Sequence, residues 1–220
     1  MKHFLFPAVF ALLLTSCGQS STLSYDVEFK SNDRNRMANL TLATKRIVTR
    51  RLRRFDSNLL DYDVDYGEGT ASISIEVDNA KAANALDEEM LAPLVLEIRT
   101  QVEEALEGDI EVEGQGFFRA STISSDDFDW VVGGKSQSGP NGQVTLIMTD
   151  EGSENMKKIF ADHQDESIGL FLRGRLTALF TANGENFEQS IVIPNVPTEQ
   201  MAEIFADDMN VGIHMKFQKK

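Results

Sequence analysis

Asp61-Tyr62-Asp63-Val64-Asp65-Tyr66, then Gly67-Glu68-Gly69-Thr70, then Ala71-Ser72-Ile73-Ser74-Ile75-Glu76-Val77 is the stretch whose reading decides the fold. Both flanks alternate strictly between apolar and polar side chains, the period of a half-buried strand, and two glycines separate them. The stretch is a β-hairpin with one face in a core and the other in water. Upstream, between Asn35 and Phe55, Met37, Leu40, Ile47, Val48 and Leu52 line one side of a long helix. Before that helix, Tyr25, Val27 and Phe29 alternate as a strand. Downstream, Asn79 to Met90 is an Ala-rich helix capped by Asp78 or Asn79, and Leu94 to Val102 reads as a further strand. The order strand, helix, strand, strand, helix, strand is that of a ferredoxin-like α+β unit, here spanning 25–113.

A loop-rich stretch follows, 114–143, with Ser124-Ser125-Asp126-Asp127, Gly133-Gly134 and Ser138-Gly139-Pro140-Asn141-Gly142. It reads as a linker. Beyond it, strands are expected at Val144–Thr149, Ile168–Leu172, Leu176–Phe180, Phe187–Ile193 and Val211–Phe217, with helices at Glu151–Ala161 and from Thr198 onward. The expected fold class is α+β. It comprises two ferredoxin-like units, 25–113 and 144–220, each an antiparallel sheet with helices on one face.

The chain has 220 residues, 41% hydrophobic and 25% charged, enough to bury a substantial core. Fifteen Gly and five Pro are too few for a low-complexity chain. The net charge of −14 argues against nucleic acid as a partner, because that affinity rests on basic surfaces releasing counterions. One cysteine, Cys17, excludes internal disulfides and a cysteine-based structural zinc site.

The position of that cysteine assigns it a role. Lys2 and His3 precede the apolar run Phe4 to Leu14, too short to span a bilayer, and Leu14-Thr15-Ser16-Cys17 follows. This reads as a signal peptide, 1–16, ending in a segment similar to the bacterial lipobox, whose cysteine takes a covalent acyl lipid. Cys17 would then be the lipidated N-terminus, with 17–24 a polar tether. Gly18 rather than Asp after the cysteine favours the outer membrane. Several acyl chains anchor a protein essentially permanently.

The remaining motifs offer little chemistry. Asp61, Asp63 and Asp65 imitate the start of a calcium loop, but Tyr66 and Ser72 stand where that loop needs Gly and a bidentate Glu. Gly134-Lys135-Ser136 copies the end of a phosphate loop, but Asp129 takes the place of its first Gly. His163 and His214 are far apart in sequence, and no nucleophile elbow occurs. No catalytic residue, metal or other cofactor is expected. Partner contacts are expected at Trp130, beside Asp126, Asp127 and Asp129, and on the basic run Lys45 to Arg54. In that run Arg50, Arg51, Arg53 and Arg54 are read either as a solvated helix face or as a footing on anionic lipid or an acidic partner.

Several segments together resemble the first periplasmic domain of SecD and SecDF, auxiliary subunits of the bacterial protein translocase. They are Ile47-Val48-Thr49-Arg50-Arg51-Leu52, Ala71 to Val77, Ala80 to Leu91, Leu94-Val95-Leu96-Glu97-Ile98-Arg99, Trp130 to Gly134, Asp150-Glu151-Gly152, Leu170 to Arg175 and Thr198 to Ala202. The family's transmembrane helices have no counterpart, and Arg173 stands where its hairpin usually has Asp. The resemblance implies the fold and contact with an exported polypeptide or a translocation partner, not proton-coupled transport. The expected function is a non-enzymatic, lipid-anchored envelope protein of that kind. The alternative is a structural or assembly lipoprotein of an envelope complex.

Overall fold

The computed structural model describes residues 20–137, 139–182, 187 and 189–220. Cys17, the signal peptide and most of the expected tether lie outside them. Strand β1 (Ser21–Phe29) turns Leu23, Tyr25, Val27 and Phe29 into the core at every second position, and it begins within the expected tether. Asp33 then caps helix α1 (Arg34–Arg53) by accepting from the Arg36 N–H, and Met37, Leu40, Ile47, Val48 and Leu52 bury its inner stripe. The hairpin forms as read, β2 (Leu59–Tyr66) against β3 (Thr70–Val77), with Tyr62 opposite Ile75 and Val64 opposite Ile73. Asn79, rather than Asp78, caps α2 (Ala80–Leu91), whose Ala82, Ala83 and Leu86 pack inward.

The fourth strand of this unit is not the expected 94–102 segment. It is β12 (Met215–Lys219), at the far end of the chain, paired antiparallel to β1 with Tyr25 opposite Lys219 and Phe29 opposite Met215. The sheet order β12-β1-β3-β2 is the split βαβ arrangement, completed from a distance. Burial explains the exchange. Strand β4 (Leu96–Val102) buries Leu96 and Ile98 on one face and Arg99 on the other, which suits a central position. Met215 and Phe217 face inward with Lys216 outward, which suits an edge.

Strand β4 instead lies at the centre of a five-stranded sheet. It sits between β9 (Ser167–Leu172), which pairs with β10 (Arg175–Thr181), and β6 (Gly116–Ala120), which pairs with β5 (Ile110–Val112). A third sheet orders β11 (Ser190–Val196), β8 (Gly142–Met148) and β7 (Phe128–Lys135). The expected linker 114–143 therefore contains β6, a 3-10 turn at Ser125–Asp127 and β7. Helix α3 (Asp150–Asp162) starts at Thr149, and α4 (Glu199–His214) at Thr198. Helix α4 continues through the segment expected to open the last strand, because Val211, Ile213 and His214 are buried at helical rather than alternating spacing.

Two hydrophobic cores result, and neither follows the expected division at 114–143. Val211 and Met215 belong to the first, with β1, α1, β3 and α2, while Leu96 and Ile98 belong to the second, with β7, β8, α3 and α4. Helix α4 passes between them.

Candidate binding groove

Helices α1 and α4 run antiparallel, and the ion pairs between them fix their register. Arg46 donates to Asp207 at 2.9 and 2.6 Å, and Arg50 to the same carboxylate at 3.1 Å. Arg50 and Arg51 lie 3.7 and 3.6 Å from Asp208, and Arg51 and Arg54 reach Glu89 of α2 at 3.2 and 2.9 Å. At the other end a single Arg36 Nη2 donates to both Asp129 oxygens at 2.9 and 2.8 Å, and Lys30 pairs with Asp126. Burial raises the Asp208 carboxyl above its ordinary pKa against the opposing pull of Arg51, and burial lowers that of Arg51.

These contacts bear on the reading of the basic run. Arg50, Arg51 and Arg54 pair with Asp207, Asp208 and Glu89, and Arg54 stays 62% exposed while it does so. Arg53 is exposed and turns toward the opening between α1 and α4. Lys45 lies 5.7 Å from the Tyr62 ring. Trp130 is half-buried: it stacks on His214 with ring centroids 5.3 Å apart and carries the Arg36 guanidinium over its ring at 5.3 Å. Its place is the junction of β7, α1 and the end of α4.

Between the two helices, with β7 as floor, lies an open groove of about 890 Å³. Leu42 and Arg53 come from α1, Val132 and Gly133 from β7, and Glu203 and Ile204 from α4. Gly133 is there for a steric reason. A Cβ at that position would lie 2.0 Å from the main-chain oxygen of Ala202, so only Gly lets α4 settle onto β7. Gly142 serves the same approach, with Thr198 O 2.4 Å from its missing Cβ.

The groove opens onto an apolar row. Val132, Thr145 and Val192 are cross-strand neighbours on the face of the third sheet that turns away from α4. Val132 is 48% exposed, Val192 46% and, across the groove, Leu42 55%. Aliphatic groups of α1, β7 and β11 thus meet solvent here, Val132 and Val192 on either side of Thr145. Sequence reasoning missed the groove because its walls come from segments more than 60 residues apart. The alternation Val144-Thr145-Leu146-Ile147 was its one local signal, giving β8 two faces of apolar character.

The other motifs take structural places. Asp63 and Asp65 pair across the ladder with Ser74 and Ser72 on the polar face of the first sheet, and Asp61 lies opposite Glu76. Gly134 and Lys135 end β7, and Ser136 starts its turn. His163 contacts Glu166 at 2.7 Å, while His214 is buried with its Nε2 unpartnered among the described residues. Among those residues no three His, Cys, Asp or Glu side chains gather as a metal site, and no helix is long and apolar enough to cross a membrane.

No family model and no curated protein matches the sequence. Solved structures do match the fold. The super-membrane-facing form of SecDF superimposes with a TM-score of 0.52 at 14% identity, over 90% of this chain and 30% of the SecDF chain. A second SecDF chain, described as a membrane component that enhances protein export, gives 0.50 at 14% identity over 90% of this chain and 99% of its own. The chain resembles a SecDF domain over nine-tenths of its length. The resemblance read from its segments thus extends to an α+β fold of antiparallel sheets and helices. It spans less than a third of the longer SecDF chain.

Proposed function

We propose that this chain is a non-enzymatic, lipid-anchored protein of the bacterial cell envelope. Its SecD-like domain would lie on the extracytoplasmic side and hold exported polypeptide, or a translocation partner, along the groove between α1 and α4. The observation that carries this reading is the exposed pair Leu42 and Val132 at the groove, continued on the same sheet face by Val192, on a fold shared with SecDF. Apolar side chains held in water gain about 25 cal/mol per Å² when a partner covers them, and they impose little sequence preference on it. A protein that meets many unfolded chains needs that tolerance. An acyl lipid on Cys17 would keep the groove at the membrane.

The test is site-specific photo-crosslinking in cells, with a benzophenone side chain at Leu42 or Val132. Many adducts of different sizes, each containing an exported chain, support the reading. One adduct to one folded protein outside the translocation machinery would overturn it in favour of a structural or assembly lipoprotein. Fatty-acid labelling lost in Cys17→Ser tests the anchor separately.

A further inference from the structure

Strand β7 is the edge of its sheet, and part of that edge is already closed by a side chain. Val131 turns its main chain away from β8: its N–H donates to Asn210 Oδ1 at 2.8 Å, and its C=O accepts from Asn210 Nδ2 at 2.7 Å. The primary amide thus stands where a neighbouring strand would place its peptide group. On the other side, the Ser136 N–H donates to Asn141 O at 2.8 Å, which puts the even-numbered residues in the ladder with β8. The register from Trp130 to Lys135 has no shift, so Gly133 and Lys135 point their N–H and C=O the same way as Val131. Gly133 lines the groove. The edge therefore continues into the groove beyond the point that Asn210 closes.

Charge narrows the choice of occupant. Of the cations that border the groove, Arg46 and Arg50 are held by Asp207, which leaves Lys45 and Arg53 against Glu203, on a chain whose net charge is −14. Arg53 is exposed at the rim. The groove is a basic patch on an acidic protein, and it favours a ligand that brings carboxylates.

We infer that the groove takes an extended polypeptide segment that adds as a strand to the β7 edge at Gly133 and Lys135, its acidic side chains toward the α1 wall and its apolar ones on Val132. This rests on the proposed function and gives it a recognition mode: main-chain hydrogen bonds for affinity, alternate side chains for preference. An extended segment satisfies the edge, the apolar floor and the basic wall together. An anionic lipid satisfies only the last.

The experiment uses the purified full-length protein in detergent and a short fluorescent peptide alternating Val and Glu, read by anisotropy. Replacing every Glu by Lys is expected to weaken binding about tenfold or more, and Arg53→Glu to reverse that preference. N-methylating alternate peptide bonds should weaken binding about tenfold in one parity and leave it unchanged in the other, since only one set of N–H groups faces β7. Binding that ignores N-methylation in both parities overturns strand addition while leaving the proposed function standing. Failure of every extended peptide to bind overturns both. Competition by phosphatidylglycerol micelles but not by unlabelled peptide assigns the patch to lipid and overturns the inference.

Discussion

Asn210 and Val131 exchange two hydrogen bonds, 2.8 and 2.7 Å long, between a helix side chain and the main chain of an edge strand. Asn210 is 6% exposed and Val131 1%, so neither main-chain group has water to fall back on. Asn210→Ala strands a buried donor and a buried acceptor. The expected loss is about 3 kcal/mol, or roughly 10 °C in Tm, read by thermal denaturation. Asn210→Asp keeps the acceptor and sets a carboxylate against the Val131 C=O, and should be no milder.

Gly133→Ala should cost about 2 kcal/mol or more. Its Cβ meets main chain at Ala202 rather than a movable side-chain tip, so α4 itself has to retreat. Gly134→Ala, one residue on, meets nothing within 4 Å and serves as the control. Urea midpoints for the pair decide the matter, and equal midpoints would remove the close-packing account.

His214 links stability to pH. Burial is the largest cause lowering its pKa, to about 4, with the charges of Lys30 and Arg36 adding to it and Asp129 opposing. A depressed histidine pKa contributes stability that is whole above the unfolded value near 6.5 and lost as pH falls toward 4. The loss amounts to about 3 kcal/mol across that window. Comparing urea unfolding of wild type and His214→Gln at pH 7 and pH 4.5 isolates this share. The wild type should lose more, and parallel curves would show that His214 titrates normally.

Val132→Asp and Val192→Asp alter the apolar row without entering either core. Each should leave stability within about 0.5 kcal/mol and sharply lower photo-crosslinking from Leu42. Unchanged crosslinking would move the binding surface elsewhere.

A fragment covering 25–113 holds the helix, hairpin and second helix that its sequence announces, yet it should not fold. It lacks β12, which completes its sheet, and it exposes the face of Leu96 and Ile98 that belongs to the other core. Far-ultraviolet dichroism and amide dispersion of the fragment test this directly. Removing 215–220 from the full chain should have a similar effect on the first core alone.

The pattern of what could be read follows from range. Helix α1 and the hairpin were legible because 3.6-residue and 2-residue periods are local, and caps such as Thr198 announce themselves. Strand β7 was not, because its glycines look like loop and earn their place only against α4. Membership of β4 and β12 in their sheets was not, because a strand carries its own period but not its neighbour's name. The ion pairs of the α1 arginines were not legible for the same reason: Asp207 is 157 residues from Arg50 along the chain. The groove combines all these limits. Its floor, its two walls and the side chain that closes part of its edge come from three distant stretches, and only Trp130 and the arginine run marked its neighbourhood in advance.

Strands β1 and β12 stand at opposite ends of the described residues, yet they are ladder partners from Tyr25–Lys219 to Phe29–Met215. The first sheet therefore cannot close until β12 has left the ribosome or a translocation channel, however quickly α1 and the hairpin form. Until then β1, with Leu23, Tyr25 and Val27, has β3 on one side and an open edge on the other, the kind of surface that chaperones hold and proteases find. A protein proposed to attend unfolded polypeptides thus begins its own biogenesis as one, and its first sheet waits on the arrival of β12.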